Sequence, residues 1–195
     1  MMKKLYLYRG SNLERKMPPK ISLNTSNYVT SGTDEVESIN TARVSANVPA
    51  LEGGVFSVDF GADIVSSPSE AGMTTSAKPI VEVKYKQNFA SVPIFDTSMD
   101  VRGYVRYRHI GEDTNQLRVA GGVSIPVSKN TSIYADAHYT TKFQDGKDNA
   151  GFWIGASYKA NNKLSLWVEP VQMNFALDGS GKTTNLMNVG LTYNF

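Results

Sequence analysis

Apolar and polar residues alternate with a period of two along most of the chain after residue 19. In the last segment every second residue from Met187 to Phe195 is apolar, and the residues between them are Asn, Gly and Thr. A period of two is typical of β-strands whose two faces meet different surroundings. Seven further segments alternate in this way: residues 42–48, 56–64, 81–86, 100–108, 117–125, 133–140 and 152–158. Since no segment of useful length repeats at the helical period, the pattern predicts an all-β protein.

Two other segments decide the number of predicted strands. Residues 164–177 alternate, but the apolar positions change from even to odd numbers at Glu169 and Pro170. A β-bulge would absorb this change, and proline suits a bulge because it has no N–H to donate. Residues 21–29 alternate only weakly. With this segment the chain has about ten strands, and without it and its neighbour the chain has eight.

The connections between these segments alternate in length along the chain. The short connections are residues 49–53, 128–130 and 160–162, and the longer ones are residues 66–77, 143–149 and 178–183. Residues 88–95 are interpreted as a further connection of middle length. Transmembrane β-barrels have short periplasmic turns and longer extracellular loops. The pattern therefore favours an antiparallel up-and-down barrel whose C-terminus is periplasmic.

Aromatic residues on the apolar face support a membrane-spanning barrel. Aromatic side chains gather at the two membrane interfaces of such barrels, on either side of an aliphatic band. This orientation places Tyr85, Tyr158, Tyr193 and Phe195 at the periplasmic interface and Tyr107, Tyr139, Phe152 and Phe175 at the extracellular one. The alternative is a soluble β-barrel or sandwich, in which the apolar faces share one core. We expect the transmembrane barrel to span residues 20–195.

Composition narrows the possible functions. The chain has 195 residues, 20 basic and 18 acidic side chains and no cysteine. Near-neutral charge gives no sign of a nucleic-acid partner, and the lack of cysteine excludes thiol catalysis and cysteine-ligated metals. We predict no cofactor and no metal site. The apolar run after Lys4 is too short for a signal peptide, so residues 1–19 are interpreted as a flexible arm, the remnant or replacement of an export signal.

The terminal segment resembles a known class of proteins. The run Val189-Gly190-Leu191-Thr192-Tyr193-Asn194-Phe195 is similar to the C-terminal strand of small bacterial outer-membrane β-barrels of the porin-like and opacity-type families. The resemblance implies a location in the bacterial outer membrane, in contact with its lipid. It also implies that Tyr193 and Phe195 are the signal that the barrel-assembly machinery recognises. We expect a monomer.

The polar face of the predicted strands carries many charges. The residues expected to line the lumen are Lys84, Lys86, Arg102, Arg106, Arg108, Arg118, Asp59, Asp63, Glu82, Asp100, Asp136 and His138. A ten-stranded barrel leaves room for a narrow channel, in which the arginine side chains would favour anions. An eight-stranded barrel is just filled by its side chains. The two hypotheses are a porin-like channel for passive, weakly anion-preferring diffusion and a closed structural or adhesion barrel that acts through its extracellular loops.

Catalysis is the less favoured hypothesis. Ser132, Asp136 and His138 share one face of a predicted strand, but a hydrolase needs its nucleophile and base within hydrogen-bond reach. Six residues of extended chain separate Ser132 from His138 by about 20 Å. The run Gly179-Ser180-Gly181-Lys182-Thr183 ends like a phosphate-binding loop, but a strand follows it where that motif needs a helix. We therefore predict that the protein is not an enzyme and assign it no catalytic residue.

Overall fold

The computed structural model describes residues 20–31, 38–50, 53–69, 72–111, 114–142, 148–180 and 183–195. The predicted arm, residues 1–19, lies outside this part of the chain. The described ranges form ten strands: β1 (Lys20–Ser31), β2 (Ser38–Pro49), β3 (Val55–Ser69), β4 (Gly72–Ile94), β5 (Thr97–Ile110), β6 (Thr114–Pro126), β7 (Thr131–Lys142), β8 (Asn149–Lys159), β9 (Leu164–Ala176) and β10 (Thr183–Asn194). The described ranges contain no helix that is long and apolar enough to cross a membrane.

The ten strands close into one antiparallel up-and-down barrel. Each strand pairs with its neighbours in the sequence, and β1 pairs with β10 to complete the ring. The weakly alternating first segment is thus a full strand, which confirms ten strands and excludes eight. Closure gives every strand two partners, so the barrel leaves no free edge along its wall.

Polar side chains fill the interior of the barrel, and apolar side chains cover its outside. Among the described residues, thirteen polar or charged residues are buried, whereas the buried hydrophobic residues are Ile80, Ala120 and Trp153. Large apolar side chains such as Phe60 and Val189 are about half exposed on the outer face. A soluble barrel or sandwich would bury its apolar face instead, so the structure does not support that alternative.

A β-bulge in β9 accounts for the change of phase in the sequence. The register of β9 shifts against β8 between Ile154 and Ala156 and against β10 between Leu186 and Asn188. In both pairs β9 contributes one extra residue, in the stretch that contains Glu169 and Pro170. The bulge keeps Gln172 buried inside while Val171 stays on the outer face, as the sequence pattern predicts.

Two segments that were predicted to be connections form strands. Residues 66–77 are not a loop, because β3 and β4 continue as a paired hairpin as far as Ser69 and Gly72. Residues 88–95 belong mostly to β4, which runs to Ile94 and pairs with β5 across a bulge at Phe89. The small polar residues of the first segment conceal its strand character, since loops have the same composition.

The two ends of the barrel differ. One end, which we call the turn end, contains the tight turns at residues 95–96, 127–130 and 160–163, the hydrogen bond from Ala50 N to Gly54 O, and Lys20 and Phe195. The opposite end, which we call the loop end, contains the strand ends Ser31, Ser38, Ser69, Gly72, Ile110, Thr114, Lys142, Asn149, Ala176 and Thr183. Ile80 is the residue of β4 nearest the loop end that pairs with β5, and the β3–β4 hairpin continues beyond it.

Candidate functional site

The lumen contains a cavity of about 360 Å³. One of its walls, from β1, β2 and β10, is neutral and carries hydroxyl and amide groups. The other wall, from β2 to β5, carries charges. The neutral lining residues are Ser22, Asn24, Thr25, Ser26, Thr41, Ser45, Asn47, Thr192 and Asn194, with Trp167 beside them. The charged lining residues are Arg43, Asp59, Glu82, Lys84, Arg106 and Arg108.

Four cations surround one carboxylate on the charged wall. Glu82 is almost fully buried, at 2% exposure, and its Oε2 accepts hydrogen bonds from Arg108 Nε at 2.7 Å and from Arg43 Nη1 at 3.3 Å. Arg106 Nε lies 3.7 Å from the same oxygen, and Lys84 Nζ lies 3.9 Å from Oε1. We call these five residues the Glu82 node. One negative charge does not balance four positive charges, so the node has an excess of positive charge.

A glycine allows Arg43 to reach Glu82 across an intervening strand. Arg43 lies on β2 and Glu82 on β4, and Gly61 of β3 pairs with Arg43 between them. A Cβ atom at Gly61 would collide with the backbone of Arg43 and with its Cγ. Arg43 also lies 3.7 Å from Asp63 Oδ1, which in turn accepts a hydrogen bond of 2.6 Å from Thr41. The small residue thus lets one guanidinium connect three strands.

A second polar network crosses the opposite part of the lumen. Arg102 of β5 donates two hydrogen bonds to Asp136 of β7, of 3.1 and 2.6 Å, and its guanidinium lies 4.9 Å from the centre of the Tyr134 ring. The Tyr134 hydroxyl donates to Glu169 Oε1 at 3.1 Å, and Asn188 Nδ2 donates to Glu169 Oε2 at 3.0 Å. We call these five residues the Asp136 chain. Its members do not line the cavity.

Aromatic and imidazole rings occupy the space beside the Asp136 chain. The ring centres of His138 and Trp153 are 5.0 Å apart, and the Arg118 guanidinium lies 5.9 Å from the Trp153 ring. Arg118 Nε donates to Thr140 at 2.8 Å. The side chains of Asn149 and Asn174 face the His138 ring, although neither ring nitrogen meets the geometry of a hydrogen bond within the described part of the chain. His138 is 5% exposed and is therefore part of the packed interior.

Inward-facing glycines recur at several places where a large side chain crosses a strand, and the sequence analysis missed this pattern. Arg102 reaches Asp136 over Gly122, and a Cβ there would collide with the Asp136 carboxylate. Tyr134 lies over Gly155 in the same way. The further examples are His138 over Gly151 and Trp167 over Gly190. The signal was available in the sequence, because all of these glycines occupy the polar phase of their strands.

The residues that were expected to line the lumen all lie on the inner face, but the structure does not bring them into one site. The cavity wall contains Lys84, Arg106, Arg108, Asp59 and Glu82. Asp63 lies behind the wall, 3.7 Å from the cavity-lining Arg43. Lys86 and Asp100 lie nearer the turn end. The others, Arg102, Arg118, Asp136 and His138, belong to the filled part of the interior. Their role in function remains a prediction.

The predicted girdle aromatics lie on the outer face, and several contact one another or a neighbouring polar group. The rings of Tyr193 and Phe195 meet edge to face, with centres 5.3 Å apart. The further contacts are those of Phe152 with Phe175 at 6.3 Å between ring centres, of Tyr107 with Asn115 at 2.6 Å and of Tyr139 with Asp148. The Tyr139 hydroxyl donates to Asp148 at the loop end and lowers the pKa of that carboxyl. The remaining two are Tyr85, whose hydroxyl donates to Gln87, and Tyr158, which is half exposed.

The chain is similar to solved structures of outer-membrane proteins. An outer membrane channel from Pseudomonas putida F1 aligns with a TM-score of 0.55 and 12% identity, over 92% of this chain and 97% of that chain. The translocator domain of the autotransporter NalP from Neisseria meningitidis has a TM-score of 0.49 and 13% identity, over 94% and 90% of the two chains. No family model and no curated protein matches the sequence. The chain has the fold of the bacterial outer-membrane β-barrels, which confirms the prediction.

Proposed function

We propose that the protein is a small channel of the bacterial outer membrane through which small solutes diffuse passively, with a weak preference for anions. The observation that supports this function best is the polar cavity inside an apolar outer surface. Its charged wall has four cations and two acids, Asp59 and Glu82. An excess of positive charge along a narrow polar path lowers the barrier for anions relative to cations. The solute needs no chemical conversion, so the protein acts without catalysis.

The outer surface supports a place in the lipid bilayer. Apolar residues cover the outer face between the two sets of aromatic residues, and amphipathic rings prefer the headgroup level of a membrane. In this proposal the loop end is extracellular and the turn end is periplasmic. Phe195, which is 72% exposed, and Tyr193 then present the C-terminal strand to the barrel-assembly machinery. The barrel closes on itself, which favours a monomer.

Recordings from purified protein in planar lipid bilayers test the channel function. We expect discrete conductance steps and a reversal potential in a salt gradient that reports anion preference. Arg106→Glu should shift the reversal potential towards cation preference, because it reverses one charge in the cavity wall. Lys129→Glu is the matched control, since it makes the same charge change on a residue of an exposed turn. The absence of conductance steps, or a cation preference that Arg106→Glu leaves unaltered, would contradict the proposal.

A second candidate function is a closed barrel that acts through its loop end. Two observations favour it: the Asp136 chain and the neighbouring rings fill a large part of the interior, and the β3–β4 hairpin is exposed over residues 72–79. Such a barrel would contact other cells or surfaces through this hairpin. Replacing residues 67–74 by a two-residue turn between the paired residues Ser66 and Thr75 separates the two functions. Loss of cell adhesion with unchanged solute uptake favours the second function, and unchanged adhesion favours the channel.

A further inference from the structure

Three buried side-chain atoms of the cavity wall have no hydrogen-bond partner: Asp59 Oδ1, Arg106 Nε and Arg43 Nε, although Arg43 donates to Glu82 through Nη1. Asp59 is 4% exposed and its Oδ1 accepts no hydrogen bond, while Arg106 is 9% exposed and its Nε donates none. Within the described part of the chain, no ion pair includes Asp59. The contact of 3.7 Å between Arg106 Nε and Glu82 is too long for a hydrogen bond. Since an unpaired buried polar group costs free energy, each of these groups stands to gain from a partner supplied by a solute.

The strand register places like charges directly opposite one another in two neighbouring rows. In the acidic row, Asp59 of β3 pairs with Glu82 of β4. In the basic row, Lys84 of β4 pairs with Arg106 of β5, which pairs with Arg118 of β6. Like charges in opposite positions of a sheet repel one another. The rows are two residues apart along β4, or about 6.6 Å.

The two rows differ in how far the protein neutralises them. Glu82 has cations within 4 Å, so the charge that remains without a counter-charge in the acidic row is that of Asp59. In the basic row Lys84 and Arg106 share Glu82 with two other arginines. The cavity therefore has one site that attracts a positive group and, beside it, one that attracts a negative group.

We infer that the cavity binds a small zwitterion whose two charges are separated, with its carboxylate at Arg106 and Lys84 and its ammonium group at Asp59. This inference rests on the proposed function, because it names the class of solute that the lumen admits. Asp59 and Arg106 lie on β3 and β5, two strand spacings (about 9.6 Å) across the sheet and two residues (about 6.6 Å) along the strands, which puts their backbones about 12 Å apart. An ω-amino acid spans the remaining gap between the two side chains better than an α-amino acid does.

The neutral wall is consistent with this binding mode because its polar groups already bond to one another. Asn24 donates to Ser45 at 2.6 Å, Ser57 donates to Asn47 at 2.7 Å, and Thr192 donates to Asn24 at 2.7 Å. A simple anion would satisfy Arg106 and leave Asp59 unpaired next to it. A zwitterion satisfies both groups, and the cavity volume of about 360 Å³ lies in the range of small-molecule sites.

Calorimetric titration of the detergent-solubilised barrel tests the inference with three probes of equal carbon number: 5-aminopentanoate, pentanoate and pentylamine. We expect 5-aminopentanoate to bind about tenfold or more tightly than either singly charged probe, since it makes one additional charge-assisted hydrogen bond. Asp59→Asn should reduce its affinity to that of pentanoate, and Arg106→Gln to that of pentylamine. Asp96→Asn, which makes the same change in an exposed turn, should leave all three affinities unchanged.

Other outcomes overturn the inference. Equal binding of pentanoate and 5-aminopentanoate by the unmodified protein would show a simple anion site, and this comparison needs no variant to fold. No heat with any probe would show that water alone satisfies Asp59 and Arg106. Because the titration needs no conductance, the two proposals fail separately. Conductance without zwitterion binding overturns the inference alone, and zwitterion binding without conductance overturns the channel function alone.

Discussion

The Glu82 node and the Asp136 chain occupy the same lumen and both contain arginine–carboxylate ion pairs, yet they are built differently. In the Asp136 chain Arg102 and Asp136 form one bidentate pair, and Glu169 accepts from two neutral donors. In the Glu82 node four cations surround one carboxylate. The chain lies in the filled part of the interior, and the node lines the cavity. The part of the interior that contains paired charges is filled. The part that contains the cavity has an excess of positive charge.

The largest effect is expected where one acid holds several cations together. Glu82→Gln should destabilise the barrel by about 3–5 kcal/mol, because it leaves buried cations without their counter-charge. Asp136→Asn should cost less, about 1–3 kcal/mol, since Arg102 is one-fifth exposed and can turn to water. Urea unfolding of both variants in lipid vesicles, followed by tryptophan fluorescence, measures the difference. A larger loss of unfolding free energy for Asp136→Asn than for Glu82→Gln would contradict this difference between the two networks.

A smaller effect is expected from the glycine beneath the Asp136 chain. Gly122→Ala should destabilise the barrel by about 1–3 kcal/mol, because its methyl group would collide with the Asp136 carboxylate and with the carbonyl oxygen of Ala135. Gly121→Ala is the matched control. Its methyl group would point outward and approach only the carbonyl oxygen of Arg102, at an ordinary 3.7 Å, so the change should stay within about 0.5 kcal/mol. Equal losses for the two variants would show that the inner face tolerates a side chain at this position.

The smallest effect is expected from one neutral hydrogen bond of the Asp136 chain. Tyr134→Phe removes the hydroxyl that donates to Glu169 and should lower the free energy of unfolding by about 1 kcal/mol. Because Tyr134 does not line the cavity, the reversal potential in planar bilayers should stay that of the unmodified protein. A shift as large as that of Arg106→Glu would place the solute path on the Asp136 side of the barrel.

The sequence predicted most of the fold because the two faces of a barrel strand meet different surroundings. Even the bulge at Pro170 was visible as a change of phase. The β3–β4 hairpin was hidden because it extends beyond the wall, where both faces are exposed and the small polar residues of 72–77 do not alternate. The end of β4 was hidden by the bulge at Phe89, which shifts the phase within a short segment.

The site was less predictable than the fold. Alternation assigned Arg106 and Asp59 to the inner face, but it could not show which charges meet, because partners such as Arg43 and Glu82 lie on strands that are not adjacent. Arg43 itself was not among the expected lumen residues. Register and inward glycines decide these contacts, and register depends on the whole ring of strands.

The central claim is that this chain forms a closed barrel, polar inside and apolar outside, and that the barrel is located in the outer membrane. Its most direct test is cell fractionation followed by gel electrophoresis with and without boiling. The account predicts that the protein is found in the outer-membrane fraction and that its mobility changes on boiling, because the closed barrel resists detergent until heated. A monomer that is freely soluble without detergent would contradict it.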